Sequence, residues 1–267
     1  MPTVTLLTKV HNDFQLKLVD KNLKSTLKGL KVKTEICGLT PRGWVQIAVS
    51  GDDEKIALHH LADEIGLCPM HLEHVEKFST MKGRVTSLNK SSETIYVDIG
   101  VSSPNIVDAA IPVSHLQAQL VDGRKVALKK FVELFGFCEH LPLTVEILEI
   151  NEEKSRIEAM LSERQIVQYR NWIKSLLDRL IILGASLYDV RSALKIAGLN
   201  RDVINIEPLG LLEHAVVCKL GTVAVGLIPK IGKKLWDANF TVFSPKKILE
   251  FLDYSTIFTS WQPGILL

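Results

Sequence analysis

The sequence predicts an α+β multidomain protein: a small α/β head, a five-stranded OB-type barrel and a basic α/β tail. Three patterns carry that expectation. Residues 1–78 alternate between strand-like and helical periodicity in the order β-α-β-β-α. Residues 79–164 hold five short alternating runs with one helical stretch between the third and the fourth. Residues 165–267 begin with helical periodicity and then turn strand-like. The chain has 267 residues, 46% of them apolar and 23% charged. That is room for two or three cores, and it excludes disorder, collagen and coiled coil as the main state.

In the head, VTLLTKV (residues 4–10) reads as a strand. Asn12 or Asp13 then caps a helix over residues 14–30, in which Leu16, Val19, Leu23, Leu27 and Leu30 recur at helical spacing. The runs 32–37 and 44–50 flank the turn TPRG and form a hairpin. Asp52, Asp53 and Glu54 favour the positive end of a helix that carries Ile56, Leu58, Leu61, Ala62 and Ile65 and stops at Gly66. Nothing here looks catalytic, and an adaptor head that docks a protein partner fits the unit.

In the middle segment, GRVTSLN, a polar turn NKSSE and TIYVDIG make two strands. DAAIPVSHL is the third, and residues 125–137 form a helix with Val126, Phe131, Leu134 and Phe135 on one side. LTVEILEIN, a charged turn EEKS and RIEAMLS close the set.

The tail opens with two helices, a long amphipathic one over residues 163–183 and a second over 187–197 ending at Gly198. DVINIEPLG, LLEHAVVCKLG and AVGLIPKIG then resemble the barrel's first three strands, HAVVCKLG beside TIYVDIG and VGLIPKIGKKL beside AAIPVSHL. A partial second barrel and a shared turn chemistry both account for this. Ser244 caps a last helix over residues 245–252.

Gly83-Arg84-Val85, Val97-Asp98-Ile99-Gly100, the run Ile111 to Leu116 and VEILEINEEKSRIEAMLSERQ together resemble the S1 RNA-binding domain. Its closing signature is carried by Val145, Ile147, Ile150, Asn151, Arg156, Ile157, Leu161 and Ser162. The chain departs from that family in lacking its G-x-F-V element and in having Ala110 where glycine is usual. The resemblance implies an S1-like barrel that binds RNA. The whole arrangement also resembles an archaeal protein family with an S1-like middle and no assigned activity, through SGDDEKIALHHLADEIGLCP, RSALKIAGLNRDVINIEPLGLLEHAVVCKLGT and GLIPKIGKKL. That likeness implies an archaeal, cytoplasmic protein.

An OB barrel holds single strands by stacking bases on aromatics and following phosphates with Lys and Arg. The face of its second and third strands would present Tyr96, Asp98, Ile111 and His115, flanked by Arg84 and Arg156. Alternatively, Tyr96 covers the barrel against a neighbouring domain. The head carries 10 basic and 10 acidic residues, the barrel 10 and 12, the tail 12 and 8. In the tail, Lys230, Lys233, Lys234, Lys246 and Lys247 gather around one turn. Lys233 and Lys234 would open a helix, a position that favours a bound anion; a solvated charged face is the simpler account.

His59, His60, Cys68, His71 and His74 are the one ligand-rich cluster, but zinc sites draw pairs from two elements and more thiolates, so no metal is expected. The four cysteines have no paired spacing and read as reduced thiols of a cytoplasmic protein. No nucleotide loop, nucleophile elbow or metalloprotease motif occurs, and no cofactor or enzymatic activity is expected. The most apolar stretch, 166–183, is broken by Arg170, Lys174, Asp178 and Arg179, so no membrane span is expected. The expected function is a non-enzymatic RNA-binding or ribonucleoprotein adaptor. The alternative is a protein–protein scaffold of the transcription or translation machinery.

Overall fold

The computed structural model describes residues 2–86, 88, 93–151 and 153–253. The expected turn at 89–92, Glu152 in the EEKS turn, and the chain after Asp253 lie outside the described residues.

The head follows the expected order: β1 (Thr3–Lys9), α1 (Asp13–Thr26), β2 (Val32–Leu39), β3 (Trp44–Gly51) and α2 (Glu54–Glu64). The antiparallel sheet runs β1-β3-β2. Asn12 caps α1 through its side chain, which accepts from the Gln15 amide at 2.9 Å. Leu6, Val10, Val19, Leu23, Val45, Ile47 and Leu61 form its core. A short strand β4 (Met70–His71) leaves the head and pairs in parallel with the barrel.

The barrel consists of β5 (Thr80–Val85), β6 (Thr94–Ser103), β7 (Val107–Pro112), β8 (Pro142–Asn151) and β9 (Arg156–Leu161). It closes in the order β6-β5-β8-β9-β7, with β7 returning to β6. The pairing of β7 with β9 is parallel, and the others are antiparallel. Helices α3 (Val113–Leu120) and α4 (Leu128–Phe135) fill the connection between β7 and β8, which is the OB arrangement. Alternation decides what lies inside: Ile95, Val97, Ile99 and Val101 of β6 meet Val107, Ala109 and Ile111 of β7 in the core. The expected third strand ends at Pro112, so His115 stands on α3.

The tail departs most from expectation. The predicted helix over 163–183 is two elements, α5 (Glu163–Lys174) and β10 (Arg179–Leu183). After α6 (Leu187–Ile196), strands β11 (Val203–Pro208), β12 (Glu213–Cys218) and β13 (Asn239–Phe243) join β10 in an antiparallel sheet of order β11-β12-β10-β13. AVGLIPKI is a 3-10 turn followed by the short helix α7 (Ile228–Ile231), so the segment likened to a third barrel strand is helical. The last described helix is α8 (Pro245–Phe251).

The central strands of the tail sheet, β10 and β12, are buried on both faces. Leu180, Ile182, Val216 and Cys218 face α6, Ile231 and Leu235. Ile181, Leu183, Ala215 and Phe243 join the barrel's own core together with α5 and α8. An aromatic cluster makes that joint: Tyr169 of α5 stacks on Phe243 at 5.7 Å between ring centres, with Phe135, Phe137 and Trp172 around them. Among the described residues no helix is long and apolar enough to cross a membrane. All four cysteines are free, Cys68 and Cys218 buried.

Candidate nucleic-acid interface

Even-numbered residues of β6 point away from the barrel core, so Tyr96, Asp98 and Gly100 share the outer face where an OB barrel would hold a strand. The structure divides that face in two. Tyr96 is 44% exposed. Asp98 is only 1% exposed, because the head sits on it: Lys9 of β1 forms an ion pair with its carboxylate, and the Trp44 indole N–H donates to both oxygens at 3.2 Å. The Lys9 ammonium also lies 4.7 Å from the Trp44 ring centre. Asp98 accepts the Gly100 amide at 2.8 Å as well. Gly100 has φ +89°, and a Cβ there would lie 2.5 Å from the Cys68 Cβ, so only glycine lets head and barrel approach this closely. Arg42 of the head reaches Asp108 of β7 at 3.3 Å.

The expected binding face is therefore corrected in three respects. Ile111 is inside the barrel, because its odd position on β7 faces inward. Asp98 is covered by the head and offers nothing to a ligand. Arg84 is buried: its guanidinium donates to Glu213 of β12 at 2.9 Å and to the Leu7 carbonyl at 3.3 Å, tying barrel, tail and head together. Arg156 is exposed at the start of β9. His115 is half-buried and lies 3.6 Å from Glu158 of β9, which puts a carboxylate beside it.

The tail lysines do not form one patch. Lys230 is on α7 and Lys233 and Lys234 follow it, on the sheet face packed by Ile231 and Leu235. Lys246 and Lys247 are on α8, whose Ile248 packs on the opposite face, with the barrel. Lys233 and Lys234 come after the C-terminus of α7 rather than in a first turn, where the dipole already favours cations without an anion. Lys246 lies 3.8 Å from Glu250.

What sequence reasoning missed is a cationic cleft of about 520 Å³ between the barrel and the tail. Its walls are Lys82 of β5, Thr144 of β8, Arg164, Gln168 and Asn171 of α5, and Arg179 with Glu207 of the tail sheet. Glu207, the one carboxylate in the lining, is held by the Arg179 guanidinium at 3.4 Å. Among the described residues Lys82 and Arg164 pair with no carboxylate. Partial burial, with Arg164 and Arg84 nearby, pulls the Lys82 ammonium below the usual lysine range. Arg164 stands in the first turn of α5, behind the Ser162 cap, where the helix's own partial charge is also positive. The sequence signal was present: Lys82 shares strand parity with Arg84, and Arg164 is a cation in a helix's first turn.

The histidine cluster is dispersed. His59 pairs with Asp63 at 3.4 Å, Cys68 packs on Gly100, and the His71 and His74 rings meet edge to face at 5.4 Å. Among the described residues no group of three or more His, Cys, Asp or Glu side chains could hold a metal ion.

No curated protein matches the chain. Solved structures that resemble it include the a/eIF2alpha-aDim2p-rRNA complex from Pyrococcus horikoshii OT3, at 10% identity and a TM-score of 0.26, covering 48% of this chain and 70% of that one. Another is the intact alpha subunit of aIF2 from Pyrococcus abyssi, at 8% identity and a TM-score of 0.26, covering 63% and 96%. Likenesses at that level carry no argument about function. Family models show what the chain belongs to: the DUF2110 N-terminal domain matches residues 3–70, the DUF2110 central domain 75–173 and the DUF2110 C-terminal domain 177–243. The three matches follow one another along the chain, the central one running through most of α5, and the chain belongs to the DUF2110 family.

Proposed function

We propose that this protein is a non-enzymatic RNA-binding or ribonucleoprotein adaptor of the cytoplasm, its phosphate-binding element the cleft between barrel and tail. The observation that supports this reading is the pair Lys82 and Arg164, which line one cleft with no carboxylate partner among the described residues. Two unneutralised cations beside a helix N-terminus repel one another, and a phosphodiester between them removes that repulsion. The amides of Gln168 and Asn171 are placed in the same cleft to meet base or sugar edges. Tyr96 and Arg156, both exposed on the barrel, extend the contact outside it.

The test is fluorescence anisotropy of the full chain with a labelled single-stranded RNA across a salt series. Binding is expected to weaken as salt rises, and the Lys82→Ala/Arg164→Ala pair to flatten the log–log slope by roughly 1.4, at about 0.7 per phosphate contact on a single strand. An unchanged slope would remove the cleft from the interface.

A second reading, a protein–protein scaffold without direct RNA binding, is favoured by one specific observation. The head occupies half of the barrel face that OB folds use for single strands, through Lys9, Trp44 and Cys68. No binding to several unrelated RNAs at low salt would select it and send the search to protein partners.

A further inference from the structure

A second aromatic and basic feature lies away from the barrel, where the head meets the tail. Phe14, at the start of α1, and Trp236, in the turn before β13, are 46% and 72% exposed, with ring centres 6.2 Å apart. The segments that carry them are joined by hydrogen bonds. The Asp237 carboxylate accepts from the Asn12 side-chain amide at 2.8 and 2.9 Å and from the Gln15 amide at 3.2 Å. These residues flank Phe14 on one side and follow Trp236 on the other, so the clamp holds together the two segments that carry the rings. Beside the rings runs a groove whose lining includes the small residues Gly184, Ala185, Ala193 and Ala238, together with Ile196 and Lys234.

The remaining polar lining is Asp189, Ser192 and Asp237. Asp189 accepts from the Ser186 hydroxyl at the α6 cap, and Asp237 is engaged in the clamp. Hydrogen bonds from a hydroxyl and from neutral amides leave both carboxylates charged. The cations that can meet a ligand are therefore Lys234 at the groove wall and Lys233 and Lys230 outside the lining in the same segment, all three exposed. An exposed indole in a segment with three exposed lysines is complementary to a polyanion that carries flat aromatic groups, its bases over the rings and its phosphates on the lysines, away from Asp189 and Asp237. An apolar peptide would use the rings but leave the lysines unmatched.

We propose that the Phe14–Trp236 groove is a base-stacking site for single-stranded nucleic acid, with Trp236 as the platform and Lys230, Lys233 and Lys234 on the backbone. This rests on the reading that the chain binds RNA, and adds to the barrel cleft a second contact on the far face of the tail sheet.

The experiment uses the full chain labelled with fluorotryptophan, the Trp236 resonance being assigned from Trp236→Phe. Fluorine NMR follows titration with a short oligouridylate and, separately, with inorganic polyphosphate, and anisotropy gives the affinities. Movement of the Trp236 resonance with oligouridylate but not with polyphosphate is expected, as is a roughly 10-fold loss of affinity in Trp236→Ala, the worth of one base stack, with Trp236→Phe retaining most of it. Oligouridylate binding with the Trp236 resonance unmoved and Trp236→Ala unaffected would overturn the site and leave the RNA reading standing. Equal movement with polyphosphate would reduce the site to charge alone and overturn stacking. No binding of any oligonucleotide would overturn both readings.

Discussion

Asp98 shows what one residue decides here. Its carboxylate is buried with the Lys9 ammonium and the Trp44 indole, so removing it leaves a cation and an N–H in the interior without their acceptor. Breaking such a pair from one side costs about 3–5 kcal/mol, whereas replacing both charges by apolar groups is often close to neutral. Asp98→Ala is therefore expected to lower unfolding free energy in urea by about that amount, and Lys9→Met/Asp98→Leu to recover most of it. A double variant as unstable as the single one would mean that the charges themselves hold head to barrel. The pattern of β6 correctly placed Asp98 on the outer face beside Tyr96. What it could not contain was the partner, because Lys9 is 89 residues away in sequence. The same holds for Arg84, whose outward parity was readable but whose partner Glu213 lies 129 residues on. Local pattern tells which way a side chain points, and only tertiary packing tells whether solvent or another domain is waiting there.

At the scale of elements, the head and the barrel were legible because their strands alternate and because α1 opens on a side-chain cap at Asn12. The boundary between α5 and β10 was not. Ile166, Tyr169, Trp172, Ile173, Leu177 and Leu180 keep a helical rhythm straight through it, and a short apolar run such as RLIIL fits a buried strand and a helix equally well. The break is made by backbone rather than by a helix-stopping residue: Leu176 adopts φ +57°, the left-handed region, directly after Ser175, and the chain then leaves as a strand buried along its whole length. A leucine in that conformation costs about 1–2 kcal/mol that asparagine largely avoids, and its side chain is 43% exposed, so little packing is at stake. Leu176→Asn is expected to raise stability by up to about 1 kcal/mol, read as an upward shift in the denaturation midpoint. A lower midpoint would show that the leucine's contacts outweigh its backbone strain.

For the whole molecule, the three domains meet at a buried polar junction that also sets how the fold responds to acid. His11 of the head and His140 of the barrel lie at it with ring centres 4.1 Å apart, next to Lys9, Arg84 and Glu213 of the tail; His214 is buried apart from it, inside the tail, against the Ala185 carbonyl at 3.1 Å. Burial, then the neighbouring His11, Lys9 and Arg84 charges, depress His140 to about 4; burial, aided by Arg191 and opposed by the Ala185 bond, depresses His214 to about 4 as well. His11 is lowered too, chiefly by burial and then by Lys9. In the unfolded chain these imidazoles protonate near 6.5. Between that value and about 4 the unfolded state binds more protons than the native one, so stability falls as pH is lowered through this window and levels off for these groups below it. Since His11 and His140 meet across the contact between head and barrel, their share of the loss should loosen that contact, while the share of His214 falls on the tail. Thermal unfolding followed from pH 7 to pH 4 is expected to show a steady drop in midpoint, and His140→Gln, which removes a proton acceptor from the junction, to reduce the slope above pH 5. Carboxylates ordinarily protonate toward the acid end, so they contribute little to the slope above pH 5. A slope unchanged in His140→Gln and in the matching His214→Gln variant would assign the acid response to the carboxylates and remove the histidines from it.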